Sequence, residues 1–305
     1  MAWFTDPMSV AFMQRAVLGG SLAAVICAVV GTWVVIRGLA FLGETVAHGM
    51  LPGVAIAALA GWPIVLGAAV SAGAMSVGVG VVARRARLSH DTATGLLFVD
   101  MLSLGVVIVS RSRSFATDVT SILFGDVLAI RQAELVLLAA ALVVIVAACA
   151  VLHRAFVALA FDARTAATLG LRPRAAHALM VLLVTAAVVA SFQALGTLLV
   201  VALLLAPAAA ARQWTHRVPP TMALGAAFGV AAVLAGSLLS WHAGTAGGAS
   251  IAGCAVALVA VSAAARAIAT PLAVRSASVR THLWRTSCPA PPAPVHRVGA
   301  RAEQH

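Results

Sequence analysis

From Ala16 to Ile36 the chain runs between two arginines, Arg15 and Arg37, without a single charged residue. A helix needs about 20 apolar residues to cross a hydrocarbon core ~30 Å thick. Comparable runs recur at Ile64–Ala83, Thr92–Val109, Glu134–Leu152, Ala178–Phe192, Leu198–Ala211, Met222–Trp241 and Ile251–Ile268. In lipid each backbone N–H and C=O must be satisfied within the segment, so runs of this kind read as helices. Only 10% of the chain is charged, whereas soluble domains carry about 25%. A soluble globular fold is excluded. The expectation is an all-α, multi-pass protein of the cell membrane, held in lipid. It has about eight full transmembrane helices plus a short broken or re-entrant helix near the N-terminus.

The formal net charge of +11 does not point to nucleic acid. The twenty basic residues are all arginine, and most lie in a few loops and the tail. The loop Arg84–Asp91, the segment His153–His177 and the turn holding Arg212 and Arg217 therefore read as cytoplasmic. Residues 1–269 form the transmembrane domain. From 270 to 305 the chain is rich in arginine and proline, and reads as a disordered cytoplasmic tail. Cys27, Cys149, Cys254 and Cys288 show no CxxC spacing, which predicts neither a disulfide nor a zinc cluster.

Between Arg37 and Arg84 the only charged residue is Glu44, with His48 four positions on. A charged side chain at the centre of a membrane helix costs about 2.5–3.5 kcal/mol on insertion scales, so its default reading is functional. At a spacing of i, i+4 both side chains share one helix face. Two readings fit them. A carboxylate and an imidazole on one face are half of a site for zinc, manganese or ferrous iron. Alternatively they are a structural pair, with His48 bonded to a backbone carbonyl. Gly43 and the Leu-Pro-Gly at Leu51–Gly53 mark a broken helix, and broken helices at membrane depth are where transporters place ion sites. Gly38–Ala60 is expected to re-enter from outside, leaving both termini in the cytoplasm. Asp100, in the third span, reads as a hydrogen-bonded packing residue facing a neighbouring helix. His216 and His242 lie in loops and read as solvated. Within His153–His177, Asp162–Leu169 can form two helical turns, with Gly170 as the C-cap and Pro173 starting the next element. A short helix of this kind on the inner face suits docking by a soluble subunit.

Five stretches carry a resemblance: FLGETVAHGMLPG (Phe41–Gly53), DTATGLLF (Asp91–Phe98), LFGDVLAI (Leu123–Ile130), AATLGL (Ala166–Leu171) and LLAPAAAAR (Leu204–Arg212). In this order and spacing the chain resembles the membrane permease subunits of metal-ion ABC importers of the zinc/manganese/iron type. The resemblance implies a homodimer, or a pair with a related permease, around a central ion path. It implies a separate ABC ATPase docked near Asp162, Ala166, Leu169 and Gly170, and an extracytoplasmic metal-binding protein that delivers the ion. It implies that Glu44 and His48 of both protomers coordinate the transported metal, with no permanently bound cofactor. The family's acid is usually Asp, and Glu44 is one methylene longer. Asp100 replaces the small polar residue expected there.

A C2 dimer would bring two Glu44 and two His48 to its axis. Two nitrogens and up to four oxygens make a four- to six-coordinate site, and two carboxylates offset the ion's double charge. The affinity order among divalent metals places zinc ahead of manganese. A proton-coupled secondary transporter, with Glu44 and Asp100 as relays, would need no docking helix, and no inverted repeat is visible. An intramembrane metalloprotease would need HExxH or an equivalent, which is absent. With no Walker A motif the chain reads as no enzyme by itself, and ATP hydrolysis falls to a partner.

Overall fold

The structure, a computed structural model, describes residues 9–110, 125, 127–161 and 172–285. Among these residues there is no strand. The helices are α1 (Ala11–Ile36), α2 (Ala40–Gly49), α3 (Leu51–Ala60), α4 (Ile64–Arg85), α5 (His90–Val109), α6 (Gln132–Phe161), α7 (Pro173–Leu195), α8 (Thr197–Arg212), α9 (Val218–Ala243) and α10 (Gly247–Arg285), with a 3₁₀ turn at Val127–Ala129.

The apolar runs set the helices, and small residues set their packing. α1 is central and touches α6, α7, α8 and α9. Its buried stripe holds Gly20, Ala24, Cys27, Ala28 and Gly31, and small residues of this kind let backbones approach without a hydrophobic drive between helices. The pair α2–α3 packs against α4 and α5, and α2 also meets α7 and α8. Burial separates the inside from the periphery: 67% of the apolar window of α1 and 72% of that of α2–α3 are buried, against 17% for α6. The segment with Glu44 and His48 is thus interior, and the exposed valines of α6 (Val143, Val144, Val151) form a lipid-facing wall.

Eight helices among the described residues are long and apolar enough to cross a membrane. They are distributed differently from the sequence expectation. Gly38–Ala60, expected to re-enter, is long enough to cross as a 21-residue segment, Ala40–Ala60. Instead α8 is the short element, with 16 residues, about 24 Å at 1.5 Å per residue. The proline break is absorbed locally. Met50 keeps right-handed helical dihedrals (φ −83°, ψ −13°), and Val54 N–H still reaches the Met50 carbonyl at 3.0 Å.

Contacts at the two ends of α1 orient it against its neighbours. At its C-terminal end Arg37 donates to the Leu159 carbonyl of α6, and Trp33 packs edge-on against Phe156. At its other end Phe12 meets Trp241, near the C-terminus of α9. Arg37 therefore sits at the end of α6 that leads into the arginine-rich segment. If that end is cytoplasmic, α2 starts on the inside and α3 ends on the outside, and the first residues of α1 lie outside.

α7 and α8 form a tight hairpin, with Gly196 alone between them. Its φ of 75° and ψ of 166° suit a residue without a Cβ. Pro207 lies inside α8. The chain divides into two units, 1–263 and 264–305. In the second, α10 continues to Arg285. Residues 270–285 belong to this helix. Residues 286–305 lie outside the described residues.

Candidate metal-ion site

α2 places Glu44 and His48 one turn apart. The helix interior is apolar, with Leu42, Val46 and Ala47 buried. His48 is itself buried, at 9% exposure, whereas Glu44 is half-buried. His48 Nδ1 lies 3.0 Å from the Glu44 backbone carbonyl. A carbonyl oxygen can only accept, so Nδ1 carries the proton and donates it. Nε2 then holds the free lone pair. This arrangement, one ring nitrogen donating to a carbonyl and the other left basic, is how metal-binding histidines are oriented. The Phe98 ring of α5 packs edge-on to the imidazole at 5.4 Å and 70°, and Phe41 meets the same Phe98 ring at 5.8 Å. Among the described residues the Glu44 carboxylate has no hydrogen bond or ion pair. The structural reading of His48, a histidine bonded to a backbone carbonyl, is thus realised at Nδ1 and leaves Nε2 available.

The helix break lies directly after His48. Pro52 has no N–H to offer the His48 carbonyl, and among the described residues no backbone bond joins Gly53 N–H to the Gly49 carbonyl. Ser71 of α4 fills the second gap: its Oγ donates to the Gly49 carbonyl at 2.7 Å. α3 and α4 cross backbone to backbone, since a Cβ on Gly53 or on Gly67 would run into the other's carbonyl oxygen. That close crossing brings Ser71 within reach.

Among the described residues no group of three or more His, Cys, Asp or Glu could hold a metal ion. Among the described residues the candidate ligands of one protomer are Glu44 and His48. Asp162, Ala166, Leu169 and Gly170 lie outside the described residues. Asp100 corrects the sequence expectation: it is exposed and has no hydrogen bond or ion pair among the described residues. Two residues separate it from Phe98, about 200° around α5, so it turns away from His48. His216 and His242 are exposed, but His242, expected in a loop, lies in the last turn of α9, where Nδ1 is 2.9 Å from the Leu238 carbonyl. Phe98 and Ser71 were not singled out from the sequence. Phe98 is the last residue of the DTATGLLF stretch, which carries the only signal for it. Nothing in the sequence marks Ser71 apart from the neighbouring serine at Ser76.

A family model described as the ABC 3 transport family matches residues 9–266. The "Manganese transport system membrane protein MntC" of Halalkalibacterium halodurans is 32% identical over 249 residues, covering 82% of this chain and 85% of that protein. A "Probable iron transport system membrane protein" of Haemophilus influenzae is 31% identical over 240 residues, covering 79% of this chain and 88% of that one. Among solved structures, "PsaBC from Streptococcus pneumoniae in complex with Fab" is similar with a TM-score of 0.78 and 26% identity, covering 86% of this chain and 94% of that chain.

Proposed function

The chain belongs to the ABC 3 transport family, as a multi-pass membrane permease of a metal-ion importer, and from that membership we propose that it carries manganese or zinc through a site built from Glu44 and His48. The observation that carries this reading is the free Nε2 of a buried histidine beside an unpaired carboxylate, on a helix broken immediately after them. Manganese comes first, because relatives are named for manganese and iron. This reverses the order expected from affinity alone, in which zinc binds a nitrogen–oxygen site more tightly.

Two copies of the chain supply two carboxylates and two imidazoles, which the single protomer does not. The carboxylates offset the charge of a divalent ion as it loses water, and the fixed imidazoles select a transition metal over calcium or magnesium. An extracytoplasmic metal-binding protein hands over the ion. A separate ABC ATPase, docked at 162–171, drives the change that exposes the site inward. Binding must stay weak enough for release, and a single site of four to six donors meets that need.

The test is uptake of radioactive manganese and zinc into proteoliposomes containing the permease, its ATPase and its binding protein. ATP-dependent uptake that disappears in His48→Ala supports both class and site. Uptake that survives His48→Ala and Glu44→Gln moves the site elsewhere. Uptake without ATP, in an assembled complex, overturns the importer reading.

A further inference from the structure

Between α4 and α7 lies a cleft of about 570 Å³, a size typical of ligand pockets. Its walls are largely apolar, with Val77, Val181 and Leu182 among them. Arg84 and Arg174 also line it, together with His177. The hydroxyls of Ser76 and Thr185 meet across it at 2.9 Å. That pair fixes the register of the two helices. Arg84 lies further along α4, at its C-terminal end, and Arg174 lies at the first turn of α7, so both belong to the same end of the cleft. Gly73 and Arg84 on one wall, and Arg174 and Thr185 on the other, are each separated by about 16 Å along a helix. One leaflet is half of a ~30 Å core, so the cleft runs the depth of a single leaflet.

Charge decides the class of occupant. Arg84 and Arg174 are exposed, and among the described residues neither makes a hydrogen bond or ion pair. Two arginines repel a divalent cation, so the cleft does not suit the ion path. Leu42, which also lines it, is about 200° around α2 from Glu44. Both arginines belong to segments that the distribution of basic residues places in the cytoplasm. Basic pockets between transmembrane helices on that side bind anionic lipid headgroups. We propose that this cleft holds one anionic phospholipid of the inner leaflet, its phosphate between Arg84 and Arg174 and one acyl chain along Val77 and Val181 toward the Ser76–Thr185 pair. The cleft wall is open where the chain would lie: a Cβ at Gly73 or at Gly80 would meet nothing within 4 Å. The inference does not rest on the metal reading, and its test needs no uptake.

The purified full-length permease, titrated in detergent with phosphatidylglycerol or phosphatidylcholine, is read by native mass spectrometry. The wild type is expected to retain phosphatidylglycerol in preference to phosphatidylcholine. Arg84→Gln with Arg174→Gln should weaken retention about tenfold or more, and Arg84→Lys with Arg174→Lys should restore most of it. Gly80→Phe fills the cleft without touching either charge and should also abolish retention. Equal retention of both lipids, or retention unchanged in both the glutamine and the phenylalanine variants, overturns the proposal. So does loss of the ATPase from the glutamine variant, or of the dimer from Gly80→Phe, with phosphatidylglycerol still held. In those cases the cleft is a protein contact.

Discussion

His48 and His242 make the same local bond. Each lies close to the backbone carbonyl four residues earlier, Glu44 at 3.0 Å and Leu238 at 2.9 Å. Each is in the last turn of its helix. Their surroundings differ. His48 is buried, has an unpaired carboxylate one turn back and the Phe98 ring against its edge, and precedes a proline break. His242 is exposed, and the left-handed Gly244 ends its helix. An imidazole held by a carbonyl is therefore a common helical arrangement. In the proposed function it becomes half of a metal site where burial makes the neighbouring charge costly and a second donor shares the face.

The sharpest way to break this comparison is to remove each member of the inner pair. His48→Ala deletes a nitrogen donor from each protomer. Losing a group that merely orients a ligand costs about 10–100-fold in metal affinity or activity, so loss of the ligand itself is expected at or beyond the upper end. Glu44→Gln keeps the shape and removes the negative charge, and a similar loss is expected. ATP-driven uptake measures both, with membrane insertion checked by the amount of protein in the membrane fraction. Wild-type rates in either variant would place His48 with His242, as a merely structural histidine.

A smaller effect is expected at Ser71. Ser71→Ala leaves the Gly49 carbonyl without its donor, and an unsatisfied buried polar group costs about 1–3 kcal/mol. Lower thermal stability and a several-fold drop in uptake should follow, because the break that sets the His48 backbone loses its clamp. Ser71→Thr, which retains the hydroxyl, should recover uptake. Reduced stability with uptake untouched would show that the clamp serves the fold and not the site.

Ser71 also marks the limit of what the sequence made legible. Periodic apolar runs and arginine loops were enough for the helices, because span length and basic-residue placement are local properties of the chain. Glu44 and His48 were legible for the same reason, as an ionisable pair in an apolar segment. The clamp was not, since it depends on how closely α3 and α4 cross at Gly53 and Gly67. The course of 38–60 beyond its break was not legible for a related reason. Leu-Pro-Gly does break the hydrogen-bond ladder, but Met50 stays helical and a neighbouring helix supplies the missing donor, so the segment keeps its full length. Asp100 misled in the opposite sense: its sequence setting suggested a packed partner, and its position on α5 turns it outward.

Asp100→Asn is expected to change uptake by less than about twofold, because the carboxylate points away from His48 and the proposed site draws its carboxylate from Glu44. Exchanging a charge for an amide at the middle of a span should leave membrane insertion equal or better. If uptake instead fell with Asp100→Asn and came to depend on a proton gradient, a relay between Glu44 and Asp100 would displace the metal site as the source of the inner pair's behaviour.

The smallest effect belongs to His242. His242→Ala should leave uptake of both metals and its ATP dependence unchanged, since the side chain is exposed and its own helix carries no acidic residue. The same measurement on His48→Ala supplies the contrast, as the two substitutions remove the same atoms and the same local carbonyl bond. A loss at His242 comparable to that at His48 would mean that the outer end of α9 also handles the ion, as a docking or capture point for the delivering protein. Burial would then no longer be what separates the two histidines.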